Sequence, residues 1–545
     1  MDNFAPLSRQ SQPSDTEAAI HLSNIDTNSS QLQQGAISGF APTSTTTQHH
    51  NHVAPSQRQR QRDEESNMGS VTTIQTFGST AGDASVVDGS SQACTAISIP
   101  VTKALHPLPK KRQHPIVRNL RHTYWAVYQR IFSVVTILNA IALVCILTTV
   151  DVSKPQLLSS LATAAATNIL VAILMRQEYV INFIFKTCWM IPHSAPLRLR
   201  RMLAKVYEFG GMHSGAAFCS TAWFIAYSAI LTKDMVNGAM RFPAMLAVAW
   251  VLVFLLVLII ATAMPRFRMV YHNRFEVIHR LVGWTALALF WAELFLYAIA
   301  VQRVYTSDAP AYGLILIREP AFWLLGVTTA FIIWPWLFLR KLAVKPEKFS
   351  DRAIRLHFTG YKVPPFCGIR LSKSPLLEWH AFACIANDDG GSVLISSGGD
   401  WTRDCIANPR PYYYVKGIPV TGVLNMAQAF RLAVIVTTGS GIGPCLSYLA
   451  GVGKQGTCRM IWSAPNPWAN YGRDICDTVT KIDPDAMVID TESSGRQDLA
   501  TLAYQMYIDS GAEAVFVISN PRVTKQIVYA MESRGVPAFG PVWDS

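Results

Sequence analysis

The chain has 545 residues, 50% of them hydrophobic, and a formal net charge of +12 at pH 7. This length allows several domains, and a mean hydropathy of +0.22 is high for a soluble protein, so we expect a membrane protein. The ten cysteines form no CxxC pair and have no regular spacing, which argues against a disulfide framework and against a zinc site. Arg and Lys concentrate beside apolar runs, as topology signals do, so no nucleic-acid partner is predicted.

The first 105 residues are rich in Ser, Thr, Gln, Asn and His and contain few aromatic side chains. This composition predicts a disordered cytoplasmic tail over residues 1–105, without the apolar stretch of a secretory signal. A basic run at 103–122 precedes the first apolar segment. We expect it to lie against anionic lipid on the cytoplasmic side, with nucleic-acid binding as the weaker alternative.

Six apolar segments follow, each close to the ~20 residues that a helix needs to cross a bilayer. They lie near 130–150, 157–175, 214–232, 243–264, 281–301 and 321–340. Residues 106–344 are therefore predicted to form a six-helix transmembrane domain. The loops at 176–212 and 265–280 carry six and four basic residues, whereas the other three loops carry five in total. This bias predicts both termini in the cytoplasm, and the plasma membrane is favoured over internal membranes.

The polarity of a soluble domain returns after residue 345. Residues 351–358 and 391–397 alternate like strands, and Gly and Pro punctuate the chain, which favours a short antiparallel barrel over 345–430. From 431 to 545 apolar strands alternate with helical stretches. That alternation predicts a parallel α/β sheet.

The stretch "VIVTTGSGIGP" (434–444) joins a buried strand to an apolar helix through glycines. Glycines let backbone amides approach a pyrophosphate, and a helix N-terminus favours negative charge. It lacks the Lys-Ser/Thr of a Walker loop and the third glycine of GxGxxG, so a turn without a ligand remains the alternative. The predicted dinucleotide-binding residues are Thr438, Gly439, Ser440, Gly441, Ile442, Gly443 and Pro444.

A barrel followed by an α/β domain with this loop resembles the ferredoxin-NADP reductase superfamily. Behind six membrane helices, the pair resembles the ferric reductase and NADPH oxidase group. It is most similar to the fungal integral membrane TmpA-type flavoproteins, a likeness that covers 106–545. Segments 322–358, 412–424, 437–449 and 537–545 carry it. The resemblance implies FAD and NAD(P)H as cofactors and a role in making or handling a signal for asexual sporulation.

In such reductases an H-P-F-T/S segment holds the flavin, and "SPLLEWHAFAC" occupies that place here. His380 and Phe382 match it, while Ala381 and Ala383 depart from it. Losing a hydroxyl at position 383 removes a hydrogen bond of about 1 kcal/mol, which weakens flavin binding. The turn at Lys416 and Gly417 resembles the one that supports the flavin diphosphate.

Three further positions follow from the resemblance. Arg496 corresponds to a residue that pairs with the 2'-phosphate of NADP, although an exposed arginine without a ligand is an equal alternative. Ser519, with Asn520, stands where reductases have Cys-Gly beside the nicotinamide. Trp543 corresponds to a terminal aromatic that stacks on the isoalloxazine, or packs as part of the tail. Ser519 and Trp543 are the candidate catalytic residues.

Transmembrane reductases of this group hold two haems with two histidines on each of two helices. Here His213 and His279 head two segments, but Tyr227 and Glu293 stand fourteen residues on, where the second histidines would be. The two histidines are candidates for the iron of one haem b in the inner leaflet, or they are interfacial residues without metal. Glu293 is costly in lipid and is expected to face other helices, as a proton or substrate group or as a hydrogen-bonding residue.

The sequence thus predicts a membrane-bound flavoprotein oxidoreductase that passes electrons from NAD(P)H through FAD, with or without one haem, to an unknown acceptor. Its expected partners are the lipid bilayer, the dinucleotide and that acceptor. The alternative is a catalytically impaired membrane sensor of nucleotide or redox state, because Ala383, Ser519 and the missing histidines depart from the pattern. A transporter is disfavoured, since the spans offer few polar residues beyond Glu293.

Overall fold

The computed structural model describes residues 107–149, 155–239, 242–304, 311–453 and 455–541. The predicted disordered tail and the predicted site residue Trp543 lie outside these described residues. The stacking of Trp543 on a flavin therefore stays a prediction from the sequence.

The first half of the described chain is helical. Its helices are α1 (Pro115–Asn119), α2 (Val127–Thr149), α3 (Pro155–Leu174), α4 (Glu178–Trp189), α5 (Leu197–Leu203), α6 (Gly210–Val236), α7 (Pro243–Ala263), α8 (Pro265–Val270), α9 (His272–Val304), α10 (Tyr312–Arg318) and α11 (Pro320–Leu337). Six helical runs are long and apolar enough to cross a membrane, judged by length and composition. Each run overlaps one of the six predicted segments, although two of them begin earlier than predicted.

Helix α9 begins at His272, well before the predicted start at 281. Its first turns are polar, with Glu276 facing His272 at 3.4 Å and Arg280 at 4.0 Å. Such i, i+4 pairs stabilise a helix in contact with water, so an apolar-run criterion misses its beginning.

Close helix contacts in the bundle depend on small and amide side chains. A Cβ at Gly211 of α6 would collide with the carbonyl oxygen of Tyr128 in α2, so only glycine allows this approach. Asn139 accepts hydrogen bonds from Asn168 at 2.7 Å and from the indole of Trp223 at 2.8 Å. One amide therefore links α2, α3 and α6.

The chain between α3 and α6, predicted as a cytoplasmic loop, is folded. It forms α4, α5 and a 3₁₀ turn at Ala204–Phe209. Side chains of this segment, Ile181 and Phe185 among them, belong to the same buried cluster as the core of the C-terminal sheet. The many basic residues of this segment led to its prediction as a loop, although its apolar side chains pack against the parallel sheet.

The second half begins with antiparallel strands. They are β1 (Arg340–Ala343), β2 (Lys345–Ser350), β3 (Ala353–Thr359), β4 (Cys367–Leu371), β5 (His380–Ala386), β6 (Gly390–Ser396), β7 (Tyr412–Val415) and β8 (Val420–Thr421), with helix α12 (Asp400–Ala407) before β7. Six of them form one sheet in the order β2-β3-β6-β5-β4-β8, and β1 pairs with β7. A bridge between Ser372 and Tyr414 joins this ribbon to the end of β4.

The predicted barrel is thus represented by an open sheet and a ribbon. Among the described strands no pairing closes β8 onto β2. β8 has two residues and pairs only with β4, and the ribbon meets the same strand through the Ser372–Tyr414 bridge. The strands also start at Arg340, before the predicted boundary at 345, because β1 and β7 pair along their whole length.

A parallel sheet completes the chain. Its elements are β9 (Ala433–Thr438), α13 (Ile442–Val452), β10 (Cys458–Ala464), α14 (Pro467–Tyr471), α15 (Arg473–Ile482), β11 (Met487–Asp490), α16 (Leu499–Ser510), β12 (Ala514–Ile518), α17 (Pro521–Glu532) and β13 (Ala538–Phe539). The strand order is β11-β10-β9-β12-β13 and every pair is parallel. The antiparallel domain and the α/β domain therefore follow each other in the predicted order.

The basic run before the first long helix contacts α17. Arg118 donates to the Tyr529 hydroxyl at 2.9 Å, and that hydroxyl donates to Asn119 at 2.8 Å. The backbone N–H of Arg112 donates to the carbonyl of Ser533 at 2.7 Å. These contacts join part of the run to protein, while Lys110, Lys111 and Arg121 remain exposed. That these exposed residues lie against lipid stays a prediction.

Two carboxylates hold α5 and its 3₁₀ turn to the parallel domain. The guanidinium of Arg200 donates to both oxygens of Glu513, at 2.7 and 3.0 Å. Lys205 lies 2.8 Å from Glu532, which also contacts His122 at 3.2 Å. Burial alone would raise the pKa of Glu532, but the charges of Lys205 and His122 bring it down to about 2. The carboxylates are therefore ionised at neutral pH.

The Glu513 carboxylate predicts how stability depends on pH. Hydrogen bonds from Arg200 lower the pKa of Glu513 from 4.5 to about 2, so the folded protein binds fewer protons between these values. Its contribution is complete above pH 4.5 and is lost as the pH falls toward 2. We expect Glu513→Gln to lower the free energy of unfolding at pH 7 by about 2 kcal/mol, measured by denaturation in detergent.

The matched control is Asp351→Asn. Asp351 pairs with Lys348 on the surface, where an ion pair contributes little, so this change should leave stability unaltered. Equal changes in the free energy of unfolding for the two substitutions would contradict the proposed contribution of the Arg200–Glu513 contact to stability.

Candidate functional site

The order of the parallel strands creates a crevice between β9 and β12. From β9 the chain proceeds to β10 and β11 on one side, and then returns to β12 and β13 on the other. Open α/β sheets bind ligands at such a switch point, at the carboxyl ends of the strands. Here the two strand ends are joined by side chains: Thr437 donates to the carbonyl of Ile518 at 2.9 Å, and the hydroxyls of Thr438 and Ser519 are hydrogen-bonded.

The glycine-rich loop lies at this crevice. Thr438 has extended backbone, Gly439–Gly441 form one 3₁₀ turn, and α13 continues from it. No side chain caps the first amides of this turn, so they are available to an anionic ligand. Gly439 has φ of +50°, and its carbonyl accepts from the Trp462 indole at 3.2 Å. The backbone conformation of the loop thus requires glycine at position 439, and the hydrogen bond from buried Trp462 fixes its position.

Two glycines of the loop have different structural roles. A Cβ at Gly441 would collide with the carbonyl oxygen of Ile518 and lie 2.5 Å from the hydroxyl of Thr437. A Cβ at Gly443 would meet Leu394 of β6 at an ordinary 3.6 Å. Gly441 therefore allows the two strand ends to meet, and Gly443 marks where α13 faces the antiparallel sheet.

The other predicted nucleotide residues lie at the same end of the sheet. Ser519 is buried at the end of β12, within hydrogen-bonding contact of the loop. Arg496 is exposed in the segment after β11, the edge strand, two strands from β9. It lies in the connection between β11 and α16, after the carboxyl end of β11. The structure brings Ser519 into contact with the loop, and none of the hydrogen bonds or ion pairs described joins Arg496 to it.

His380 and Phe382 share one face of β5. The indole of Trp401, from α12, packs against both rings, at centroid distances of 4.6 and 5.7 Å. His380 Nε2 and Trp401 Nε1 are buried and, among the described residues, have no hydrogen-bond partner. Burial lowers the pKa of His380, so its imidazole is neutral at neutral pH. Two unpartnered polar atoms in one aromatic cluster fit a bound polar ring system.

Side chains alternate along a strand, so Ala381 and Ala383 occupy the opposite face of β5. Ile385, on that same face, packs against the cluster that includes the core of the parallel domain. The missing hydroxyl at position 383 would therefore point toward the parallel domain, away from His380. This separation was not visible in the sequence motif.

Lys416 and Gly417 connect the antiparallel sheet to the helices. Lys416 Nζ lies over the rings of Trp336 and Trp379, at 4.1 and 4.5 Å. Burial, with the nearby Arg280, lowers the pKa of Lys416 to about 7. Gly417 has φ of +65°, and a Cβ there would lie 2.5 Å from the carboxylate of Glu178. Only glycine fits this turn.

Glu178 and Arg370 complete the junction and were missed by sequence reasoning. Glu178 is 2% exposed and lies 3.1 Å from the Arg370 guanidinium. Burial raises the pKa of Glu178, and Arg370 opposes that shift. Glu178 is one of two acidic residues in the basic segment 176–212, and nothing in the sequence links it to Arg370. Trp401 had no such signal, because a tryptophan in a short amphipathic helix is typical of a core.

A cavity of about 1670 Å³ lies between the helices and both sheet domains. Apolar side chains of the long helices form one end, and cationic groups form the other. The Arg and Lys side chains on its wall are Arg121, Arg130, Arg176, Lys205, Arg268, Arg280, Arg370, Lys416 and Lys525. Of the predicted site residues in the described chain, Lys416, His213 and His279 lie on this wall, whereas His380, Phe382 and the glycine-rich loop do not.

The two histidines are held differently. His213 Nδ1–H donates to the carbonyl of Ala172 at 2.8 Å, which leaves Nε2 free toward a ligand. His279 packs on Phe275 at 5.4 Å, and its Nδ1 is buried without a partner in the described chain. The described residues contain no group of three or more His, Cys, Asp or Glu that could hold a metal ion. His213 and His279 therefore belong to no such group.

Comparison with known proteins gives reductase relatives. The family described as "Adenylate-forming reductase 03009, C-terminal domain" matches residues 423–545. Adenylate-forming reductases 03009 and 06235 of Coprinopsis cinerea are each 40% identical, over 439 and 442 residues. The matches cover 80% of this chain and 42% of each relative, so the chain spans less than half the length of the proteins it matches.

Solved structures resemble only part of the chain. Ferredoxin-NADP+ reductase from Plasmodium falciparum with 2'P-AMP matches at 12% identity and a TM-score of 0.29, covering 37% of this chain and 94% of that one. The FAD/NAD-binding domain of nitric oxide dioxygenase from Vibrio cholerae gives 12% and 0.27, covering 37% and 99%. At these TM-scores the similarities support no conclusion beyond the strand order described above.

These relatives bear on the predicted resemblance. Their names are those of reductases, in agreement with the oxidoreductase class. Neither name describes a ferric reductase or a TmpA-type membrane flavoprotein, so that finer assignment remains a prediction that rests on sequence motifs.

The loop glycines predict contrasting effects of alanine. Gly441→Ala should force β9 and β12 apart at their carboxyl ends, at a cost of about 1–3 kcal/mol, and lower the thermal midpoint. Gly443→Ala, whose new methyl group meets Leu394 at contact distance, should leave the midpoint unchanged. Thermal unfolding of both variants in the same detergent makes the comparison. A Gly441→Ala protein as stable as wild type would show that the strand ends are not tightly joined.

Proposed function

We propose that the chain is a membrane-bound flavoprotein oxidoreductase. NAD(P)H binds at the loop from Thr438 to Pro444, and electrons pass to FAD held near His380, Phe382 and Lys416. The observation that carries the proposal is the uncapped glycine-rich turn at the switch point between β9 and β12, with α13 facing the antiparallel sheet. The reductase names of the relatives support the same class of reaction.

The residues of the crevice would act on the nucleotide in distinct ways. The amides of the Gly439–Gly441 turn receive the pyrophosphate. Ser519, hydrogen-bonded to Thr438, positions the nicotinamide end of the dinucleotide at the carboxyl end of β12. The planar guanidinium of Arg496, which is exposed after β11, suits a 2'-phosphate. This arrangement favours NADPH over NADH.

The antiparallel domain offers a place for the flavin. His380 Nε2 and Trp401 Nε1 supply a neutral nitrogen and an indole N–H that lack partners in the described chain. Bound FAD would supply hydride acceptance followed by release of single electrons. Lys416, with its pKa near 7, can hold or release a proton at Nζ close to the cavity.

We further propose that the six apolar helical runs cross a lipid bilayer, with both termini in the cytoplasm and the plasma membrane as the site. The basic wall of the cavity lies at the end next to the sheets, as the positive-inside rule requires of a cytoplasmic side. NAD(P)H is available on that side. The same proposal covers a role in making or handling a signal for asexual sporulation, which rests on sequence resemblance.

One haem b between His213 and His279 is part of the proposal. Both residues line the cavity, His213 is fixed through Nδ1 with Nε2 free, and His279 has an unpartnered Nδ1. No second histidine pair exists on these helices at the expected spacing, so electrons would serve an acceptor in the membrane or on the cytoplasmic side.

The second candidate is a catalytically impaired redox or nucleotide sensor. The observation that favours it is Trp401, which covers the face of β5 that carries His380 and Phe382. Ala383, without a hydroxyl, adds to it. Such a protein would bind the dinucleotide without passing on its electrons.

The absorption spectrum of the purified full chain separates the two. If the protein is an oxidoreductase, its spectrum shows a flavin band that NADPH bleaches. A colourless protein that does not oxidise NADPH would contradict the enzyme proposal. His380→Ala should raise the dissociation constant for the flavin about tenfold, the equivalent of about 1.4 kcal/mol. The control His357→Ala removes a surface imidazole of β3 that pairs with Glu347, and should leave the dissociation constant unchanged.

The haem has its own signature. A Soret band should be present in the wild type and absent in His213→Ala and in His279→Ala. His193→Ala, on an exposed histidine that contacts the Gln428 carbonyl, is the control and keeps the band. A wild type without a Soret band removes haem while leaving the flavin proposal in place.

A further inference from the structure

A second polar site lies in the helices, between the interior of the bundle and its end remote from the two sheets. Glu293 in α9 and Glu319, just before α11, line one small cavity of about 50 Å³. Glu293 stands eleven residues before the end of α9, so it lies about 16 Å from that end along the helix axis. It is therefore deep within the bundle.

Glu293 is buried and only half satisfied. Its side chain is 4% exposed, and its Oε1 accepts the Tyr227 hydroxyl at 2.9 Å. Its Oε2 is also buried, without a hydrogen-bond partner among the described residues. A buried carboxyl oxygen without a partner costs free energy, so this atom is expected to have an occupant beside it.

The cavity provides that occupant with a route to the surface. Its volume is enough for one or two water molecules, and Tyr297 and Thr328 contribute polar groups to its wall. At its other end Glu319 is half-buried and accepts the Ser159 hydroxyl at 2.5 Å. The cavity thus joins a fully buried carboxyl group to one that reaches the surface.

No cation faces Glu293 across this cavity. The titratable side chains on its wall are Tyr227, Tyr297, Glu293 and Glu319, and the described lining includes no Lys, Arg or His. An ionised carboxylate here would be an uncompensated buried charge. A proton on Glu293 neutralises this charge without any further ligand, and the described wall supplies no cationic side chain that could do so.

We propose that Glu293, a water molecule in this cavity and Glu319 form a proton site that exchanges with the solvent at the end of the bundle remote from the sheets. The proton leaves Glu293 Oε2 for the water, and the water passes a proton to the Glu319 carboxylate and then to solvent. Glu293 remains as a carboxylate that accepts the Tyr227 hydroxyl. No electron moves, and the site does not depend on the proposed reductase function.

Infrared spectroscopy of the full chain in lipid nanodiscs tests the site. The wild type should show the C=O stretch of a protonated buried carboxyl group that shifts in D₂O. Glu293→Gln should abolish that band, and Tyr227→Phe should move it because a hydrogen bond is lost. Glu319→Gln should keep the band and slow its exchange at least tenfold.

The matched control is Asp234→Asn, which removes a carboxyl group near the same end of the bundle, on α6 and away from this cavity. It should alter neither band nor exchange. Absence of the band in the wild type, or unchanged exchange in Glu319→Gln, overturns the proposal. A band that appears only after sodium is removed also overturns it, since a bound cation would then be the occupant.

A measurement on the unaltered protein covers the case in which the variants fail to fold. A hydrophobic carbodiimide reacts with protonated carboxyl groups in apolar surroundings, and peptide mapping locates the product. Modification at Glu293 supports the proton site. An unmodified Glu293 in a folded sample contradicts it.

Discussion

The structure depends on how the segment between α3 and α6 is held against the parallel sheet. Arg200 and Lys205 reach Glu513 and Glu532 from one side, and His122 reaches Glu532 from the other. Ion pairs of this kind contribute modestly to stability, but breaking one leaves a desolvated charge, so they specify a single arrangement. Because the helical bundle, the first basic segment and the α/β domain meet at these carboxylates, the walls of the large cavity are fixed relative to one another.

That arrangement separates two chemical environments. At the switch point the protein presents backbone amides and neutral hydroxyl groups, which are suited to binding a phosphate. At the junction of the helices, Lys416 lies between two indoles while Glu178 faces Arg370, so charge is held in an apolar setting and the pKa of Lys416 falls near neutrality. In the first environment, the positions of neutral hydrogen-bonding groups would select the ligand. The second is suited to moving protons, and it lies on the wall of the cavity that also contains His213 and His279.

Much of the architecture was accessible from sequence, because apolar runs, strand alternation and the glycine-rich turn are local signals. The folding of 176–209 was not, since the amphipathic faces of α4 and α5 show their partner only in three dimensions. The same holds for the site. Thr438 and Ser519 were predicted separately, but their hydrogen bond follows from the strand order. Trp401 and Glu178 were missed because each meets its partner through long-range packing, which no spacing along the chain encodes.

The core shared by these parts also limits how the chain can be divided. The family match begins at residue 423, yet the buried cluster behind β9 includes Ile181 and Phe185 of α4 and Leu394 of β6. A fragment cut at that boundary would expose the apolar surface those side chains cover, and such patches promote aggregation. The family match therefore covers only part of a larger packed unit that includes α4, and the two curated relatives match over 439 and 442 residues. A fragment meant to contain the parallel sheet should retain the segment from α4 onward.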